Sequence, residues 1–287
     1  MVVIRSQSMG YCSGVSQVIE KAKEALALAK TKNVPAYSIG WFIHNPSVVN
    51  SFQQKGMNSI ESPDGHLPGV ALIRAHGIGD PLRKAFIDAG FTLIDGTCPT
   101  VAYSQRLIRT SDPSWNIVII GQKGHSEVVA LSRVWNKEHQ LVDVTIIESE
   151  EEFLSLPSYE DQSVFLMVQT TFNHLLYEKL KQMMSDKYGS RLIMGNKLCP
   201  TTARRHKAVL ELCKEVDAVI VVGGKMSANT RSLAQLVERQ QLPVWHIETV
   251  NDLPSEIRKF AVVGVTAGAS TPNEDIDEVI QTLESFN

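Results

Sequence analysis

Along the chain, apolar runs of three to six residues alternate with longer stretches whose apolar positions recur every three or four residues. The first kind, bounded by Gly, Pro, Asn and Asp, predicts strands at Ala36–Ile39, Val70–Arg74, Thr92–Ile94, Asn116–Ile120, Leu141–Asp143, Ser163–Val168, Leu192–Met194, Ala218–Val222, Val244–Ile247 and Ala261–Val265. A further strand-like run is Val2-Val3-Ile4. The second kind predicts helices over about 15–31, 46–55, 80–90, 99–110, 172–188, 200–215 and 229–241. In the first of these Val15, Val18, Ile19, Ala22, Ala25, Leu26 and Ala29 share one face. Apolar strands alternating with helices belong to parallel sheets with covering helices, so the fold class is α/β.

Three cysteines stand at the same kind of joint, with a strand-like run before and an amphipathic helix after: Cys12 in Met9-Gly10-Tyr11-Cys12-Ser13-Gly14, Cys98 in Asp95-Gly96-Thr97-Cys98-Pro99, and Cys199 in Lys197-Leu198-Cys199-Pro200. They lie 86 and 101 residues apart (12 to 98, 98 to 199). The chain therefore reads as three small pseudo-symmetric α/β units sharing a centre, at 13–97, 98–196 and 197–287, the last completed by an N-terminal strand within 1–12. The turn clusters at 61–69 and 111–115 read as surface loops inside units. A thiol at a helix N-terminus faces unpaired N–H groups and the positive end of the dipole, which favours the thiolate and metal ligation. Three ligands, one per unit, leave a metal position open to a substrate. Cys213, inside the predicted helix 200–215, reads as core packing.

Composition narrows the class. In 287 residues, 43% apolar content supports a substantial core. A net charge of −3 without basic clustering argues against nucleic acid or a membrane surface as partner. No run approaches the ~18 apolar residues of a spanning helix, and the N-terminus lacks a secretory pattern, so a cytoplasmic location is expected. Four scattered cysteines form neither a disulfide framework nor zinc-ribbon pairs.

The loops after the predicted strands carry the polar chemistry: His44-Asn45, His76-Gly77, Gly124-His125-Ser126-Glu127, Gln169-Thr170-Thr171, Gly223-Gly224-Lys225-Met226-Ser227-Ala228-Asn229 and Thr266-Ala267-Gly268-Ala269-Ser270. Such loops are where open α/β sheets bind ligands. Three histidines, small hydroxyl residues and glycine-opened helix starts suit an oligoanion such as a diphosphate. Glu127 is the one acid among them and the natural proton donor. Thr271, in Thr271-Pro272-Asn273-Glu274, fits a capping box, whereas Ser270 is freer to face a ligand. His66, His139, His174, His206 and His246 lack glycine and hydroxyl company and read as structural or solvent-facing.

In order and nearly end to end, Gly10-Tyr11-Cys12-Ser13-Gly14-Val15, His44-Asn45 with Val48-Val49, Ala75-His76-Gly77, Asp95-Gly96-Thr97-Cys98-Pro99, Gly124-His125-Ser126-Glu127-Val128, Gln169-Thr170-Thr171 and Thr266-Ala267-Gly268-Ala269-Ser270 resemble the motifs of the LytB family of 4-hydroxy-3-methylbut-2-enyl diphosphate reductases. The resemblance implies a cloverleaf of three α/β units around one 4Fe-4S cluster held by Cys12, Cys98 and Cys199, with one iron open. It implies that His44, His76, His125, Ser227, Asn229 and Ser270 grip the diphosphate, and that Glu127, Thr170 and His125 serve catalysis. Reductive removal of an allylic hydroxyl would give isopentenyl and dimethylallyl diphosphate, with ferredoxin or flavodoxin as electron donor.

The resemblance is not complete. Where the family reads Lys-Asn-Ser-Ser-Asn-Ser-Asn-Arg-Leu, this chain has Lys225-Met226-Ser227-Ala228-Asn229-Thr230-Arg231-Ser232-Leu233. Ala228 lacks a hydroxyl whose charge-assisted bond is worth roughly 1.5–3 kcal/mol, while Arg231 brings a compensating charge. After Cys199, Thr202 and Arg205 are kept but His206 stands in place of glutamine. Two other readings fit: a paralogous open-iron enzyme reducing or dehydrating another small anion, as in the quinolinate synthase type, and a non-catalytic cluster-bearing sensor. A sensor has no need of Glu127 beside His125.

Overall fold

Runs of Val and Ile, β-branched and buried on both faces, pair side by side and in parallel. A computed structural model describes residues 1–159 and 161–286. Among them, one sheet contains β2 (Ala36–Ile39), β3 (Met57–Ile60), β4 (Val70–Ile73) and β5 (Thr92–Asp95) in the order β3-β2-β4-β5. A second contains β6 (Asn116–Ile120), β7 (Val144–Ile147), β8 (Val164–Val168) and β9 (Leu192–Met194) in the order β7-β6-β8-β9. The third contains β10 (Ala218–Val222), β11 (Val244–Ile247), β12 (Val262–Ala267) and the N-terminal β1 (Val2–Arg5) in the order β11-β10-β12-β1. All the pairings within these sheets are parallel.

The strand order is the same each time. From its first strand the chain moves to one edge, then crosses back to the other side. The place between first and third strands, where successive connections leave in opposite directions, is the switch point at which such sheets bind ligands. The fourth, edge strand precedes a cysteine in all three: β5 leads to Cys98, β9 to Cys199, and β1 to Cys12.

Helices cover the sheets on both faces, as period-two alternation requires. These are α1 (Ser13–Lys32), α2 (Pro46–Gln54), α3 (Asp80–Asp88), α4 (Pro99–Arg109), α5 (Ser126–Leu131), α6 (Glu150–Leu154), α7 (His174–Tyr188), α8 (Pro200–Leu212), α9 (Ala228–Glu238) and α10 (Asn273–Glu284). In the β6–β9 sheet Val118, Ile120, Leu166 and Val168 pack with Phe153, Leu180 and Met184, from α6 and α7. From the opposite face Ile117, Ile119, Phe165 and Met167 pack with Ile108, Val128 and Leu131, from α4 and α5. In the third sheet Ile220 and Val265 face Ile276, Val279 and Ile280 of α10, while Val219 and Val221 face Leu212 of α8 and Leu233 of α9. Each such side chain contributes about 1.5–3 kcal/mol by leaving water.

The chain divides into two compact units. One comprises Met1–Ser16, Ile43–Ser51 and Pro200–Asn287 and holds the sheet of β1 and β10–β12; the other comprises Gln17–Phe42 and Phe52–Cys199 and holds the other two sheets. Among the described residues no helix is long and apolar enough to cross a membrane.

Several elements depart from the expected pattern. The strand expected at Leu141–Asp143 lies at Val144–Ile147; Leu141 is 47% exposed and makes only an isolated antiparallel bridge to Trp135. The apolar partners that β6 needs, opposite Ile117 to Ile120, begin at Val144. β3 was not expected, because Asn58 and Ser59 interrupt its apolar pattern; as an edge strand it buries only Met57 and Ile60. α5 and α6, of six and five residues, are too short to repeat a helical period.

Candidate functional site

Glu127 lies in the first turn of α5, behind Gly124, which takes φ +79°, and His125, which caps the helix. It is 1% exposed. Its carboxylate faces the loop after β8, where Thr170 supplies both of its partners: the backbone N–H donates to Oε1 at 2.6 Å and the hydroxyl to Oε2 at 2.9 Å. The pair therefore sits across the switch point between β6 and β8. Burial raises the Glu127 carboxyl to about 7, against which the two Thr170 bonds pull downward. An acid of that strength is part protonated near neutrality and can give up or accept a proton there. His125 Nδ1 accepts from the Glu127 N–H at 3.1 Å, so in the neutral ring Nε2 carries the hydrogen. The His125 and His76 rings meet edge to face, 5.4 Å between centroids, bringing together two of the three expected histidines within one unit.

A repeat unseen in the sequence links each cysteine to its sheet. The backbone N–H of Cys98 donates to Ala75 O at 2.9 Å, that of Cys199 to Thr170 O at 2.9 Å, and that of Cys12 to Ala269 O at 3.2 Å. The acceptor in every case belongs to the loop after the third strand, beside His76, at Thr170 itself, and beside Ser270. Cys98 is the N-cap of α4 with Pro99 at N1, Cys199 directly precedes Pro200 of α8, and Cys12 precedes α1 and accepts from Val15 N–H on its Sγ at 3.4 Å. All four cysteines lie outside disulfides and are half-buried. Burial raises the Cys213 thiol, which packs at the edge of the core, as expected for a cysteine without a ligating role. Soft sulfur donors opening helices fit the iron–sulfur group that the resemblance implies.

In the unit that holds β10 and β12, the corresponding switch-point loops carry the remaining candidates. Ser227 caps α9, its oxygen accepting from Thr230 N–H at 3.3 Å, which leaves its own hydrogen to donate elsewhere. Asn229 is 5% exposed, and neither its Nδ2 nor its Oδ1 has a hydrogen-bond partner among the described residues. A buried amide of that kind is costly unless something pairs with it, so it fits an anionic ligand. His44 and Asn45 fold against the same loop: a Cβ on Gly224 would stand 2.5 Å from His44 O, so only glycine lets the backbones approach. Asn45 Nδ2 donates to Ser270 O at 2.9 Å.

Several expectations change. Ser270 is buried and its hydroxyl donates to His44 O at 3.3 Å rather than standing open. Thr271 is not a cap. Its hydroxyl is fully buried and donates to Val222 O at 3.0 Å, while Pro272 occupies the cap position of α10. The end of β10 offers that hydroxyl a buried acceptor that the helix start does not. Arg231 donates to Lys225 O at 3.0 Å, tying its guanidinium to the loop's own backbone. Arg205, not singled out as a site residue, is 2% exposed and donates to Ala267 O at 3.0 Å and to Gly10 O, joining the Cys12 and Ser270 turns. Its signal was an arginine on the apolar side of a predicted helix. His206 and His246 are structural as expected, paired with Ser232 Oγ at 3.0 Å and Gly223 O at 2.8 Å.

The family model described as LytB protein matches residues 3–284. The 4-hydroxy-3-methylbut-2-enyl diphosphate reductases of Solidesulfovibrio magneticus and Treponema denticola are 36% and 34% identical to it, over 100% and 99% of both chains. Among solved structures, the E-1-hydroxy-2-methyl-but-2-enyl-4-diphosphate reductase of Plasmodium falciparum superposes with a TM-score of 0.88 at 26% identity, covering 98% of this chain and 87% of that one. A second, (E)-4-hydroxy-3-methyl-but-2-enyl diphosphate reductase, the terminal enzyme of the non-mevalonate pathway, gives 0.70 at 28% identity, covering 99% of this chain and 100% of that one. With the repeated sheets, the three cysteine joints and full-length relatives in agreement, the chain belongs to the LytB family.

Proposed function

We propose that this chain is the reductase that removes the allylic hydroxyl of 4-hydroxy-3-methylbut-2-enyl diphosphate, giving isopentenyl and dimethylallyl diphosphate. Glu127 carries the reading: a buried acid poised near neutral pH, held by Thr170 at a switch point, in a chain that matches reductases of that name from end to end. The ligands of one 4Fe-4S cluster would be Cys12, Cys98 and Cys199, leaving one iron open. When bound, the cluster supplies two electrons, passed on from a ferredoxin or flavodoxin, and a Lewis-acidic iron.

The chain's own residues do the rest. His44, His76 and His125, with Ser227, Asn229 and Ser270, the last turning its hydroxyl from His44 O, bind the diphosphate; the amide of Asn229, unpartnered among the described residues, supports this. Protonated Glu127 gives its proton to the departing hydroxyl, which leaves as water. Thr170 holds the resulting carboxylate through two bonds and orients it. A second proton then reaches carbon, so two electrons and two protons are consumed per water released. The three units keep the bounds 13–97, 98–196 and 197–287 with the strand in 1–12, supported by one four-stranded sheet for each.

The test is anaerobic turnover of 4-hydroxy-3-methylbut-2-enyl diphosphate by cluster-loaded protein with a reduced viologen as donor. Conversion to both products is expected. No turnover with a full iron count would overturn the substrate and point to a different small anion, Ala228 being the first residue to revert to serine.

A further inference from the structure

β9 pairs with β8 in the register Val164 with Leu192, Phe165 with Ile193 and Leu166 with Met194, and Gly195 N–H adds one more bond to Leu166 O at 2.9 Å. Val168 is the next β8 residue that needs a partner on this side. The chain has to leave the sheet there, because it must reach Cys199 four residues on. Gly195 allows the departure: a Cβ at that position would lie 2.3 Å from the Met167 sulfur. A side chain then replaces the ladder. Asn196, 4% exposed, accepts from Val168 N–H on Oδ1 at 2.7 Å and donates from Nδ2 to Val168 O at 2.7 Å. The second Nδ2 hydrogen goes to Ser104 Oγ on α4 at 2.8 Å.

We infer that Asn196 is a positioning residue that sets the Thr170 turn, the Cys199 loop and the Cys98 helix from one point. Two residues beyond Val168, Thr170 gives Glu127 both of its bonds and accepts the Cys199 N–H. Six residues before Ser104, Cys98 caps the helix that Ser104 anchors. The residue type is specified by its chemistry. One acceptor and two donor hydrogens are all used, aspartate would lose both donors, and glutamine would overreach by a methylene. Nothing in the local sequence Met194-Gly195-Asn196-Lys197 announces this role.

The importance of Asn196 for the reaction rests on the proposed function above, but its geometry is tested without substrate. Amide hydrogen exchange on the full-length chain compares the unsubstituted protein with Asn196→Ala. The Thr170 and Cys199 amides are expected to exchange at least about tenfold faster, while Ile117 and Ile119 in the same sheet stay unchanged. In turnover, kcat should fall at least about tenfold with KM within about twofold, the split expected when a proton donor is misplaced and binding is not. Uniform acceleration across the sheet, or none at Thr170 and Cys199, would overturn the inference. Ser104→Ala keeps both Val168 bonds and is the second variant should Asn196→Ala fail to fold. It should speed exchange of the Ala102 amide in the first turn of α4 by about threefold and leave Thr170 unmoved; the reverse pattern would also overturn the inference. Turnover by the unsubstituted chain decides the functional reading separately, so either can fail while the other stands.

Discussion

At Glu127, burial and hydrogen bonding act in opposite directions, and burial wins. The folded chain therefore holds this proton more tightly than the unfolded chain does between pH 4.5 and about 7. Stability conferred by the protonated group is lost as pH rises through that window, by up to about 3 kcal/mol. Urea titrations should show the stability of the native sequence, relative to Glu127→Gln, falling from pH 4.5 to 7. In turnover the sign is the same: the proposed proton donor is lost above about 7, so kcat/KM should decline there and that limb should vanish in Glu127→Gln. The variant itself should be slower by at least about a hundredfold. Asn229→Ala should instead raise KM about tenfold or more with a smaller change in kcat, since it removes a proposed binding group. Glu127 was legible as the one acid among the loop histidines. Thr170 as its partner was not, because that bond joins residues 43 positions apart. Thr271 was misread for a related reason: a local capping pattern lost to a distant carbonyl at Val222.

Strands and helices were legible wherever burial is two-sided or the period repeats. β10, with all five residues buried, and α1, with twenty residues, show the two limits. The pattern faded at edges and in short pieces, where β3 alternates polar residues into an apolar frame and α5 spans little more than a turn and a half. Core positions in the middle of a sheet should accordingly dominate stability. Leu166, 1% exposed and central in β8, should cost about 2–5 kcal/mol when replaced by alanine, measured as a lower urea midpoint at constant slope. Leu141→Ala, on an exposed bridge outside the strand, should change the midpoint little.

On the scale of the whole chain, three sheets with one strand order repeat the same joint between edge strand and cysteine. That likeness was visible beforehand as three cysteines about a third of the chain apart, because each lies at a strand-to-helix junction. The shared bond from each cysteine N–H to its neighbouring loop was not, since it depends on which strands lie side by side. Cys12→Ser, Cys98→Ser and Cys199→Ser should each lose most of the iron, and Cys213→Ser should retain it; an iron count per chain reads the difference. β1 has a consequence of another kind. Val2 pairs with Val262, so the first strand finds its place only beside one of the last. Both sheets between residues 36 and 194 can form while the chain is still being made, but the strand that leads to Cys12 must wait, unpaired, until β12 has been synthesised. On the proposed ligand set, the first ligand to be translated is thus the last to be set, and a chain that stops short of residue 262 leaves β1 without its partner strand.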